Sequence, residues 1–163
     1  MNVNDVAAPF TDHTDEVRLE WVDFNDHFHM GYYGLAFERA QETFLAHLGL
    51  FADGWPDGAR MVTRQLHVCF LRELRARAPL RFETLLLDHD ATRVHCIHRM
   101  LHATEGYLAA TGEIVSQCMD AGETQALGFA PRVERALAAL RAGHARLAPP
   151  EQRGRAIGLP RRA

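Results

Sequence analysis

A chain of 163 residues, 47% hydrophobic and 24% charged, has the length of one domain and enough apolar surface to bury a core unaided. That composition excludes a disordered tail, a collagen and a disulfide-bonded mini-protein. The net charge of −3 is uneven: residues 1–59 hold two Arg against eleven acids, residues 60–130 eight of each, and residues 131–163 eight Arg against two Glu. A pI near 6.3 speaks against a nucleic-acid binder.

Residues 1–16 lack the basic and apolar regions of a secretory signal. The first element is Val17-Arg18-Leu19-Glu20-Trp21-Val22, whose apolar residues alternate with charged ones as in a half-buried strand. Asp23 continues the apolar phase, so a strand running on would aim its carboxylate inward. Asn25 to Gly31 is polar and reads as a loop. Tyr33, Phe37, Ala40, Phe44 and Leu48 then recur at helical spacing, which predicts an amphipathic helix over about 31–48 with Gly49 as its C-terminal cap. Phe51 to Arg60, with two Asp-Gly pairs and a Trp-Pro, reads as a loop. Strands follow at 61–74, 80–88, 93–103 and 107–119, separated by gaps short enough for antiparallel hairpins. Pro131 opens a short second helix with Val133, Leu137, Leu140 and His144 on one face, and Pro149-Pro150 closes it. The Arg-rich tail then lies on the surface or on a partner subunit, where its guanidiniums suit an anion. That all eighteen basic residues are Arg is also what a GC-rich genome produces.

Strands grouped after one helix imply an α+β fold. One long helix covers one face of a curved sheet. The other face stays open unless a second copy covers it, which favours a homodimer. No apolar run reaches the roughly 18 residues of a membrane helix.

The motif inventory removes several chemistries. There is no Gly-rich nucleotide loop, and Ser116 is the sole serine, without a nucleophile elbow. Cys69, Cys96 and Cys118 form no CxxC; three free thiols fit a reducing cytoplasm. On a strand, His95 faces opposite to His98 and His102, so the three share no metal. His27 and His29 lack a third ligand, and no metal site is expected.

The informative segment is Trp21 to Tyr33: an acid, a polar loop with two histidines, then a helix starting at a small residue. A helix N-terminus offers unpaired N–H groups and a positive dipole end. A carbonyl docked there is polarised, and the oxyanion formed by attack on it is stabilised. Asp23 can activate water or attack directly, and His27 can orient water or shuttle a proton. Alternatively, Asp23 caps the helix or binds the loop backbone. These residues leave both readings open.

The same segment carries a resemblance. Asp23, the run Asp26-His27-Phe28-His29, and Tyr33 are similar to the acid, loop and tyrosine of hotdog-fold acyl-CoA thioesterases related to 4-hydroxybenzoyl-CoA thioesterase. His67 to Glu73, Leu87 to Asp90, His98 to His102, Gly106 to Thr111 and Gly154 to Gly158 resemble a subgroup tied to carnitine and betaine catabolism, the betainyl-CoA thioesterases. The resemblance spans about residues 15–160. It implies a long central helix wrapped by a curved antiparallel sheet, with a short C-terminal helix. It divides the chain into an N-terminal extension (1–14), a hotdog domain (15–130), and a C-terminal helix with basic tail (131–163).

It also implies a thioester hydrolase acting on acyl-CoA, as a cytoplasmic homodimer or homotetramer, with no cofactor beyond the CoA of its substrate and no nucleic-acid or membrane partner. Catalysis falls to Asp23, His27, His29 and the Gly31 N–H. Substrate contact falls to Trp21, Phe24, Asn25 and Tyr33, with Phe28 and Tyr32 nearby, and aromatic faces suit a quaternary ammonium. Two positions depart from the family: Asp26 stands for Gly and His29 for Asn. Asp26 adds bulk and charge and opposes the positive φ that Gly allows; His29 still donates, with a charge that follows pH. Hotdog domains also serve as dehydratases and non-catalytic acyl-CoA binders, and release of free thiol separates these classes.

Overall fold

The computed structural model describes residues 8–50 and 58–159. Most of the predicted 51–60 loop lies outside them. The described chain runs β1 (Thr14–Glu16), a 3₁₀ turn (Leu19–Trp21), α1 (Met30–His47), β2 (Arg60–Phe70), β3 (Pro79–His89), β4 (Arg93–His102), β5 (Leu108–Met119) and α2 (Pro131–His144). The strands form one antiparallel sheet in the order β1-β3-β4-β5-β2. This is the expected α+β, hotdog architecture.

The long helix and four long strands lie where their periodicities place them. Gly49, at φ +79, ends α1 in a Schellman motif: Leu50 N–H reaches Leu45 O at 3.1 Å and Gly49 N–H reaches Ala46 O at 2.9 Å. Helix α1 lies directly on β5, since a Cβ at Gly112 would come within 2.6 Å of the Phe37 ring. A buried polar chain also ties helix to sheet. His98 on β4 bonds Thr84 Oγ1 through Nδ1 (2.8 Å) and Gln41 Oε1 of α1 through Nε2 (2.7 Å). Gln41 in turn reaches Ser116 at 3.5 Å. These contacts fix where the N-terminus of α1 points.

One expectation needs correction. Residues 17–22 are not a strand. Trp21 N–H bonds Arg18 O at 3.0 Å, and the three-residue turn buries Val17 and Trp21 while leaving Leu19 58% exposed. An apolar residue at every second position is equally well served by such a turn when the middle one faces water.

Part of the outer face of the sheet is covered by the chain itself, while β2 stays largely exposed. Leu85, Ile97, Leu101 and Thr111 are buried there. The segment after α2 returns over them: Leu147–Gln152 face Glu83, Leu85 and Arg99, and Gly154 N–H bonds Glu113 at 2.7 Å. Pro149-Pro150 ends the helical run and lets the chain double back.

The N- and C-terminal segments pack on the same core. Phe10 pairs with Thr84, and it shares a core with Phe44, Leu86, Val133, Leu137 and Leu140.

Candidate functional site

Residues 22–28 form a tight hairpin. Val22 and Phe28 pair across it. Asp23 N–H bonds His27 O at 2.9 Å, and Asp26 N–H returns to Asp23 O at 3.0 Å. Asp26 sits at φ +62. This is the three-residue loop in which a type I turn is followed by a left-handed residue. Asp26 therefore adopts the conformation its Cβ was expected to oppose. Asp tolerates this region better than most residues, at the cost of some strain.

The hairpin, not a continuing strand, places Asp23. Its Oδ1 accepts the N–H groups of Asn25 (2.9 Å) and His27 (3.1 Å). These bonds, chiefly that from His27, hold the carboxyl below its usual range, and the nearby His27 and His29 rings act in the same direction. Among the described residues Oδ2 takes no hydrogen bond. The loop-binding reading thus accounts for one oxygen, and the other stays open.

His27 Nε2 lies 3.1 Å from Glu73 Oε2, and Glu73 Oε1 lies 3.5 Å from Arg75. A proton on Nε2 facing Glu73 leaves Nδ1 as the basic nitrogen. Glu73 is the partner that sequence reasoning missed. It lies 46 positions along the chain, just past β2, and only the sheet brings that exit beside the hairpin (Phe28 N–H to Leu74 O, 2.8 Å).

His29 caps α1. Its Nδ1 accepts from Gly31 N–H at 3.1 Å, which assigns the proton of the neutral ring to Nε2. The Gly31 N–H expected for an oxyanion is thus engaged by His29. A Cβ at Gly31 would approach that ring nitrogen to 3.2 Å, so the small residue accommodates the cap.

Beside the hairpin lies a cavity of about 340 Å³, lined by His27, Phe28, Met30, Tyr33, Phe70, Leu71, Arg72, Glu73 and Leu74. Of the eight residues singled out from the sequence, His27 and Tyr33 line it. Tyr33 stacks on Phe28 at 4.0 Å and meets Phe70 edge-on at 4.9 Å. Burial pushes its hydroxyl pKa up to about 12, keeping it a proton donor. His29 and Gly31 sit at the tip of α1 and Asp23 on the hairpin before it, all outside that lining. Trp21 is buried with the guanidiniums of Arg18 and Arg39 over its ring, at 4.9 and 5.2 Å. Phe24, at the hairpin tip, is 97% exposed, and Asn25 is exposed beside it.

The profile of the thioesterase-like superfamily matches residues 17–137. A betainyl-CoA thioesterase of Pseudomonas aeruginosa is 32% identical over 156 residues, covering 95% of this chain and 98% of its own. An L-carnitine dehydrogenase/betainyl-CoA thioesterase of Ruegeria pomeroyi is 29% identical; the match takes in 98% of this chain and 32% of that longer protein. Among solved structures, a hypothetical protein of Staphylococcus aureus in complex with CoA superposes with a TM-score of 0.82 at 22% identity, covering 96% of this chain and 99% of that one. A DHNA-CoA thioesterase of the same species superposes with a TM-score of 0.74 at 19% identity, covering 82% of this chain and 92% of that one.

Proposed function

The chain belongs to the thioesterase-like superfamily and is an acyl-CoA thioesterase, and from that premise we propose that it hydrolyses a betaine-type acyl-CoA at the Asp23 hairpin. The observation that carries the site is the division of labour within Asp23. Its Oδ1 is spent on two loop N–H groups, while the carboxyl stays ionised with Oδ2 free of hydrogen bonds among the described residues, on the hairpin that leads into α1. In this reading Oδ2 takes a proton from water as the water attacks the thioester carbon, or attacks that carbon itself. The carbonyl oxygen becomes an oxyanion at the helix tip, held by His29 Nε2–H and, once the His29 ring turns aside, by Gly31 N–H. The C–S bond breaks and the CoA thiolate takes, by way of His27, the proton that water gives up; where Asp23 is itself the attacking group, water then hydrolyses the mixed anhydride, freeing the acid and restoring the carboxylate. No cofactor is called for beyond the CoA that the substrate brings.

The betaine-type acyl group rests on the curated relative and on the aromatic lining of the cavity, Phe28, Tyr33 and Phe70, whose rings suit a quaternary ammonium. Trp21 already carries two guanidiniums and serves this ligand from behind Phe28, on which it stacks.

A homodimer belongs to the same reading. Among the described residues no strand pairs with the outer edge of β2; Phe24, Phe70 and Leu71 are exposed near the cavity. A second copy along this edge would shield them. The three free thiols suit a cytoplasmic home.

The test is thiol release from betainyl-CoA beside straight-chain and aryl-CoA thioesters. Betainyl-CoA should give the highest kcat/KM. Preference for an uncharged acyl group of similar size would overturn the betaine assignment, and an absence of thiol release from every thioester would overturn hydrolysis. A single turnover in ¹⁸O-labelled water tests for attack by Asp23, because a label in the protein arises only from an anhydride that water opens at the Asp23 carboxyl carbon.

A further inference from the structure

A second cavity, of about 400 Å³, adjoins the first, and Arg72 and Glu73 line both. Arg75, Arg77, His102, Glu105 and Tyr107 line it too, so three guanidiniums and an imidazole face two carboxylates. The carboxylates are already engaged. Glu105 lies 3.9 Å from Arg72 and 3.6 Å from His102, and Glu73 bridges Arg75 and His27. The Arg72 guanidinium carbon lies over the Tyr107 ring, 3.8 Å from its centre. Arg77 has no carboxylate partner among the described residues.

Arg77 is also held in an unusual backbone. It sits at φ +62, in a turn closed by Ala78 N–H to Arg75 O (3.1 Å) and pinned by its own N–H to Val17 O (2.7 Å). Glycine is the residue such a position favours, and a side chain there costs about 1 kcal/mol. The turn thus carries an unpaired guanidinium, at a strained position, on the wall of a basic cavity.

From this arrangement, and resting on the thioesterase reading above, we infer that the second cavity binds a phosphate of the CoA portion of the substrate through Arg77 and Arg75, with Arg72 between the two compartments. A CoA thioester separates its reactive carbon from its phosphates by the long pantetheine arm. It therefore needs one aromatic and one cationic compartment, distinct but continuous, and the shared Arg72–Glu73 wall supplies that continuity. Arginine suits the task because its planar fork grips phosphate oxygens two at a time.

The test is calorimetric titration of the full chain with CoA, with pantetheine and with inorganic phosphate. The variants are R77G, R75A with R77G, and R141A as a charge-loss control away from the cavity. R77G relaxes the strained turn, so it retains the fold. It should weaken CoA binding about tenfold and leave pantetheine binding unchanged. The double variant should also abolish competition by inorganic phosphate. R141A should change nothing. Equal wild-type affinity for CoA and pantetheine, parallel loss of both ligands in R77G, or an equal loss in R141A would each overturn the inference. Tight wild-type binding of inorganic phosphate with no preference for CoA would mark a free-anion site and overturn the assignment to substrate. Wild-type protein that releases no thiol removes the hydrolase reading alone; the CoA titration still decides this one.

Discussion

Two histidine environments divide the molecule. In the sheet core, His98 uses both ring nitrogens on Thr84 and Gln41, without exposure to solvent. Burial, and then the charge of His13, pull its pKa down to about 3, so it is neutral at ordinary pH. At the hairpin, His27 and His29 each commit one nitrogen, to Glu73 and to Gly31 N–H. The ring of His27 is 37% exposed. Burial with both nitrogens bonded makes His98 part of the scaffold, whereas the partly exposed His27 keeps one nitrogen unengaged among the described residues.

The comparison breaks first at Asp23. D23N keeps an oxygen for the two loop N–H groups but loses the charge. Steady-state assays should show kcat lower by two to four orders of magnitude, with the melting temperature held within a few degrees. Activity near wild type would remove Asp23 from the mechanism.

His98 should behave in the opposite way. H98A leaves a cavity and unpaired partners at Thr84 and Gln41, and should lower stability by about 3 kcal/mol in a urea titration. The protein that remains folded should keep its turnover. His98 also makes stability depend on pH. Its folded pKa lies below the unfolded value near 6.5, so the unfolded chain binds the extra proton. Stability from this residue is complete above about pH 6.5 and is lost as pH falls toward 3. In H98Q the slope of melting temperature against pH over that window should flatten; an unchanged slope would assign acid sensitivity elsewhere.

A smaller effect sharpens the contrast. E73Q removes the charged partner of His27 without emptying any space, and should cost about tenfold in kcat/KM with little change in melting temperature. A loss confined to stability would make Glu73 structural. Smallest is D26G, which relieves the left-handed strain at the loop tip. It should add about 0.5–1 kcal/mol, read as a melting temperature a few degrees higher.

Much of this division was legible in the chain. Tyr33, Phe37, Ala40 and Phe44 declare α1 because a buried helix face must repeat at 3.6 residues. The alternation of β4 separates His95 from His98, and the structure puts His95 on Glu113 and His98 on Gln41. Asp23, His27 and His29 stand out as polar residues crowded ahead of that helix. The 3₁₀ turn was not legible, since Val17, Leu19 and Trp21 fit two periods equally over so short a stretch. Glu73 was not legible as a partner of His27 either, because no local pattern encodes a contact 46 positions away.

The sequence by itself determined the elements, their order and the acid–histidine segment, for these depend on spacing along one chain. Only the tertiary structure decided which oxygen of Asp23 stays open, which nitrogen of each histidine is taken, and that Arg72–Glu73 joins two cavities. Hydrogen-bond partners and shared walls arise where distant segments meet, and side-chain periodicity carries no record of that meeting.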